Sequence, residues 1–193
     1  MNVLILSSYP ESLRATIERA GDSTLVTADR ISVESLERDG IDFIVSYGYR
    51  HLIREPVLAR LPNRIINLHI SWLPMNRGAD PNLWSWIDDT PKGVTIHQID
   101  PGLDTGDILL QEPVTFGPAE TLASSYAALR RAIEALFARA WPDLRDGRVA
   151  PRAQTGPGSS HSARDKEALV ARLPLGWDTP VAEVVALARS LGL

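Results

Sequence analysis

Four short runs in the first seventy positions, residues 2–8, 23–28, 41–47 and 64–70, are apolar and largely β-branched (NVLILSS, STLVTA, IDFIVSY, RIINLHI). Each is too short for a packed helix and of the right length for a strand buried on one or both faces. Between them lie stretches with helical spacing. Leu13, Ile17 and Ala20 mark one face of residues 11–20, and residues 33–39 and 55–61 form shorter turns stopped by Gly40 and by Pro62-Asn63. This alternation predicts an α/β fold, a Rossmann-like and mostly parallel sheet with helices on both faces.

The pattern continues with a helix over 80–89 (Leu83, Trp84, Ile87) and strands over 92–99 and 107–114. The longest helix is predicted over 119–145, with Leu122, Tyr126, Leu129, Ile133, Leu136 and Phe137 as its apolar stripe. Residues 147–161 turn to Gly, Ser, Pro and Ala, the composition of a surface segment, and 163–172 and 181–193 read as short helices. The expected organisation is a catalytic domain over 1–150 and a C-terminal extension over 151–193, a linker plus short helices.

Composition narrows the chemistry. The absence of Cys from the 193 residues removes disulfides, thiolate metal sites and a Cys nucleophile. A net charge of −4 with scattered basic residues disfavours nucleic acid as the main ligand, since phosphate neutralisation needs a basic face. The N-terminal run 3–6 lacks the basic leader of a signal peptide, and no apolar run reaches the ~18–20 residues that span a bilayer. A cytoplasmic protein without membrane attachment is expected.

The residues that carry chemistry lie between Ile66 and Gly106. Asn67 and His69 are two apart on one predicted strand, so they share a face, and a polar pair in an apolar strand must find partners. Ser71, Trp72 and then Arg77-Gly78 follow in a loop, and Asp104 sits between the glycines of GLDTG, Gly102 and Gly106. An amide, an imidazole and a carboxylate suffice for acyl transfer to an amine: the amide steadies a developing oxyanion, the imidazole moves the amine proton, and the carboxylate holds the imidazole. On residue types alone, an Asn–His strand pair is more often structural, and GLDTG fits any tight turn. His97 reads as a supporting residue rather than a direct participant, His51 as a loop residue whose backbone matters, and His161 as exposed. No histidine spacing suits a metal. SSYPES after the first strand contains neither a dinucleotide nor a phosphate-loop motif.

The string NLHISWLPMNRGADPNLWSW, followed by KGVTIHQIDPGLDTGDILLQ, resembles the signature region of the folate-dependent formyltransferases. Three elements match in order: N-x-H-x-S-x-L-P with a following Gly, then G-V-T-x-H, then D-T-G. The resemblance implies the formyltransferase fold, 10-formyltetrahydrofolate as formyl donor, no metal, and Asn67, His69 and Asp104 as the catalytic residues. It places the pterin against Arg50, His51, Leu52 and Ile53 and against the loop Asp100, Pro101, Gly102 and Leu103, largely through main-chain contacts. Ser71, Trp72, Arg77 and Gly78 fall on the acceptor side, with Trp72, Trp84 and Trp86 as candidates to line it and core packing as the competing role for Trp84.

Within that family, the missing Gly-rich turn argues against a ribonucleotide acceptor. The chain length and acidity argue against tRNA. The implied acceptor is a small-molecule amine, an amino sugar or a carrier-bound aminoacyl group. The phrase RGADPNLWSW-x-x-x-TPKGVTIH resembles nucleotide-sugar N-formyltransferases, and the wider run from IDFIVSYGY through RIINLH to GRVAPRAQT also resembles the formylation domain of linear gramicidin-type peptide synthetases, hence a role in secondary metabolism. A formyltetrahydrofolate hydrolase and a catalytically silent folate- or partner-binding module are the alternatives. The C-terminal helices are open to use as a homodimer contact, a carrier-docking surface or a cap on the sheet.

Overall fold

The computed structural model describes residues 1–193. Its elements run β1 (Asn2–Leu6), α1 (Glu11–Arg19), β2 (Ser23–Thr27), α2 (Val33–Arg38), β3 (Phe43–Tyr47), α3 (Glu55–Arg60), β4 (Ile65–His69), β5 (Arg77–Gly78), α4 (Pro81–Ile87), β6 (Gly93–Gln98), β7 (Ile108–Pro113), α5 (Leu122–Arg145), β8 (Ser160–His161), α6 (Glu167–Val170) and α7 (Val181–Ser190), with a 3-10 turn at Gly176–Asp178. Six strands form one sheet in the order β2-β1-β3-β4-β6-β7. The pairs β1/β2, β1/β3 and β3/β4 are parallel, whereas β4/β6 is antiparallel. All five residues of β3 are buried, so both faces of the sheet are covered at its centre. This is the α/β class that the alternating runs predict.

The direction of winding changes between β1 and β3. From β1 the chain crosses by α1 to β2 on one side, then by α2 to β3 on the other. Open α/β sheets offer a crevice beyond the carboxyl ends of their strands at such a reversal.

The chain divides into two compact units: Met1–His69 with Thr95–Leu110 and Ile133–Gln154, and Ile70–Val94 with Gln111–Ala132 and Thr155–Leu193. In the first, Leu4, Leu6, Leu36, Ile44, Val57 and Ile65 build one apolar cluster. Phe43, Phe137 and Trp141 build an aromatic one, with the Trp141 ring edge-on to Phe43 at 5.3 Å. In the second, Leu83, Leu122, Leu169, Val181, Val184 and Ala188 pack together. The predicted stripe of α5 is buried except for Tyr126, which is 37% exposed.

Two expectations for the C-terminal part need correction. The Gly/Ser segment does lie at the surface, and within it Ser160–His161 pairs in parallel with Arg77–Gly78 as a two-stranded sheet, and Arg152 bridges to Ile108. Helix α6 keeps only four residues of the predicted stretch 163–172; ahead of it Asp165 accepts from the Ser162 amide and hydroxyl across a turn. His161, read as exposed, stacks on Trp84 with ring centroids 3.9 Å apart and sits 2.8 Å from Asp88. A two-residue strand leaves no periodic signal to foresee this.

Asp22 is the electrostatic staple of the first unit. Its carboxylate, 2% exposed, meets the Met1 ammonium at 3.0 Å, the Arg145 guanidinium at 3.0 Å and the Trp141 indole N–H at 3.1 Å. Burial pushes the carboxyl up, but the Met1 ammonium, Trp141 and Arg145 together outweigh it and hold it below the usual carboxylate range. A depressed folded value stabilises the fold above the ordinary Asp range, near 3.9, and this contribution is lost as pH falls through the folded value. Asp22→Asn is expected to cost about 3 kcal/mol near neutrality. In urea unfolding at pH 7 and pH 3, the gap between wild type and variant should shrink on acidification. An unchanged gap would remove Asp22 from the acid response.

Candidate functional site

The site begins with a register. Beyond Tyr47 the chain turns through Gly48 at φ +65°, where a side chain would collide with the Tyr9 phenol that packs edge-on against Tyr47 at 4.8 Å. Strand β4 then carries Asn67 and His69, and antiparallel β6 lays His97 opposite Asn67 and Thr95 opposite His69. Directly opposed residues share a face, and so do residues two apart, so all four side chains project from one side of the sheet.

The loop after β6 delivers the carboxylate to that group. Asp104 Oδ1 accepts from Asn67 Nδ2 at 3.3 Å and lies 3.5 Å from His97 Nε2, while Oδ2 lies 3.7 Å from His69 Nδ1. The last contact is at ion-pair range, longer than a hydrogen bond. The His97 Nδ1–H faces the Gln98 carbonyl at 2.7 Å, so in the neutral ring Nε2 is free to accept from Asn67 Nδ2, 3.2 Å away. His97 thereby turns the Asn67 amide so that its NH2 looks toward both His97 and Asp104. The side chains of His69, His97 and Asp104 are 8%, 2% and 14% exposed, a setting in which polar contacts count for more than in water.

Asp104 adopts a left-handed backbone at φ +52°, and its loop is closed by its neighbours. Asp100 Oδ1 accepts from the Gly102 amide at 3.1 Å and the Thr105 hydroxyl at 2.7 Å. The Gln154 amide donates to the carbonyls of Asp104 and Gly106, both at 2.8 Å. Gly106 lies so close to β6 that an added methyl would stand 1.9 Å from the Gln98 carbonyl oxygen.

A cavity of about 350 Å³ opens at these residues, within the first unit. Arg50, His51, Leu52 and Ile53 line it from the loop after β3, and Asp100, Gly102 and Leu103 from the loop after β6. Of the eight residues expected to hold the folate, Pro101 alone is not among the lining residues. Asn67, His97 and Asp104 line it too, so the polar group borders a partly apolar pocket of a size suited to a small heterocycle. Ser46, Tyr49 and Ile99 complete the lining. The Tyr47-Gly48-Tyr49 turn lies where the strand ends predict a ligand crevice, whereas sequence reasoning gave no role to Ser46 or to Gln154, for which the only signal was a lone amide in a run of Pro, Ala and Thr. No group of three or more His, Asp or Glu side chains has the arrangement of a metal site.

The residues expected on the acceptor side belong to the second unit. Ser71 is buried and donates to the Met75 carbonyl at 2.9 Å. The Trp72 ring packs on Gly93, Arg77 packs along Gly158, and Gly78 takes φ +87° where it pairs with His161. Trp84 is core, 3% exposed, while Trp86 is half-buried with the Lys92 ammonium 4.7 Å over its ring.

Because the Gln98 carbonyl is backbone and cannot step aside, Gly106→Ala should strain the loop by about 2 kcal/mol and lower the melting temperature by about 4–8 °C. Gly117→Ala, where an added methyl meets nothing within 4 Å, is the control. Equal melting of the two variants would show that the Asp104 loop tolerates displacement.

Residues 13–140 match the formyl transferase family. The methionyl-tRNA formyltransferase of Solibacter usitatus is 38% identical over 63% of this chain and 40% of its own length. That of Desulfotalea psychrophila is 30% identical over 96% of this chain and 57% of its own. The chain therefore spans about half the length of these two curated relatives. Among solved structures, the formyltransferase PseJ from Anoxybacillus kamchatkensis, in complex with UDP-4,6-dideoxy-4-formamido-L-AltNAc and tetrahydrofolate, is 44% identical, superposes with a TM-score of 0.92, and is matched over 97% of this chain and 100% of that one. The residue match and these likenesses lead to one assignment: this chain belongs to the formyl transferase family.

Proposed function

We propose that this protein transfers a formyl group from 10-formyltetrahydrofolate to the amine of a nucleotide-linked amino sugar, with Asn67, His69 and Asp104 as the catalytic residues. The observation that carries the reading is the convergence of Asp104 on Asn67 at 3.3 Å and on His69 at 3.7 Å, beside the cavity between the two loops. The acceptor class is supported by the 44% identity with PseJ, whose crystals hold a formamido-sugar nucleotide and tetrahydrofolate.

In the proposed reaction the acceptor nitrogen attacks the formyl carbon. A new C–N bond forms, the bond from that carbon to N10 breaks, and the proton shed by the amine ends on N10. His69 takes that proton and passes it on, and Asp104 steadies the imidazolium between the two transfers. Asn67 gives an N–H to the tetrahedral oxyanion, and its longer 3.3 Å contact to Asp104 is the one an oxyanion can replace. His97 keeps the amide turned for this. The pterin lies against the Arg50–His51–Leu52–Ile53 and Asp100–Pro101–Gly102–Leu103 loops. Ser71, Trp72, Arg77 and Gly78 serve the acceptor.

Incubation with 10-formyltetrahydrofolate and a UDP-linked 4-amino sugar should give the formamide, detected by mass. Asp104→Asn should lower kcat on the order of a thousandfold or more while 5-formyltetrahydrofolate still binds. Undiminished turnover in that variant would overturn the catalytic assignment, and formate release without any amine would favour the hydrolase. Trp72→Ala should raise the acceptor KM at least about tenfold, the scale of one lost aromatic contact, and leave the folate Kd within about twofold. Equal effects on both constants would take Trp72 out of the acceptor pocket.

A further inference from the structure

We propose that Gln154 is a positioning residue for the transfer, acting through Asp104. Its side-chain amide clamps the carbonyls on either side of Thr105 and so holds Asp104 in its left-handed conformation. This rests on the catalytic reading of Asp104 given above.

The clamp is built from the segment after α5. Arg152 exchanges backbone hydrogen bonds of 2.8 and 2.9 Å with Ile108, which fixes the chain beside the first residue of β7. Two residues on, Gln154 Nε2 reaches the Asp104 and Gly106 carbonyls, both at 2.8 Å. Both partners are acceptors, so the amide must present its NH2, and that nitrogen carries one hydrogen for each. A carboxylate of the same length has none to offer. An aliphatic side chain would leave the two carbonyls without these donors.

Asp104 needs such a hold. Non-Gly residues adopt positive φ rarely, and Asp104 does so at +52°. The Asp100–Thr105 hydrogen bond and the seat of Gly106 on Gln98 fix the loop on either side of it, but Gln154 grips the Asp104 peptide itself. If that peptide relaxes, the carboxylate swings away from Asn67, His97 and His69 together. A displacement of about an ångström at a reacting group can cost about a hundredfold in rate.

The test is a mutant cycle in the full chain, with single-turnover formyl transfer as the readout. Gln154→Ala should lower kcat by about tenfold to a hundredfold and leave the donor KM within about threefold. In an Asp104→Asn background the same change should cost nothing further, because the group it positions is already gone. Gln154→Glu should lose as much near neutrality. Its activity relative to wild type should recover as pH falls, since a protonated carboxyl regains one O–H donor toward a carbonyl. Wild-type kcat in Gln154→Ala, or the same fractional loss in both backgrounds, would overturn the proposal. If Gln154→Ala does not fold, a Gln154→Glu ratio that stays flat down to about pH 4, through the ordinary Glu range near 4.3, would overturn it. Full turnover by Asp104→Asn alone would instead overturn the catalytic reading on which it rests.

Discussion

The antiparallel pairing of β4 with β6 is the constraint on which the site depends. Three parallel pairs, β2/β1, β1/β3 and β3/β4, make a frame that any β-α-β sequence of this kind can build. The reversal at β6 then sets Asn67 against His97 and His69 against Thr95, so that two short polar patterns from distant parts of the chain merge into one face. A one-residue slip would send each of these side chains to the opposite face. Ile66, Leu68, Val94 and Ile96, all at most 3% exposed, alternate with them on the other face, and a slip would set these apolar side chains among the polar group.

Around that register, polar groups orient one another in sequence. The Gln98 carbonyl sets the His97 tautomer, His97 turns the Asn67 amide, and the amide meets Asp104. The loop that brings Asp104 is held by three kinds of force: a hydrogen bond from Thr105 to Asp100, steric contact of Gly106 with β6, and the Gln154 clamp. Each tolerates little change, and together they fix a residue whose backbone conformation is unfavourable by itself.

Much of this was legible in the residues, for physical reasons. Strand runs such as FIVSY and IINLH must be buried, and helical spacing around Leu13 and Ile17 leaves little choice of element. The Asn67-x-His69 pair stood out because polar groups in a buried strand need partners. The partnership of His97 with Asn67 was not legible, since strand direction leaves no trace in a single run such as GVTIHQ. Nor was Gln154, whose role depends on two carbonyls far away in sequence. The pairing of Ser160–His161 with Arg77–Gly78 was hidden for another reason, because two residues carry no period.

The left-handed turn at Asp104 also bears on how such a protein could lose its activity over evolutionary time. Asp and Asn are among the few L-residues that accept this backbone, through local hydrogen bonding of their short side chains. A change to Asn would remove the negative charge yet keep the loop and the cavity wall formed by Gly102 and Leu103. On the proposed reading of Asp104, the route from enzyme to inert folate-binding protein thus passes through a single, structurally mild substitution. By contrast, most other residues at this position would disturb the loop and be purged for instability before their lost catalysis mattered.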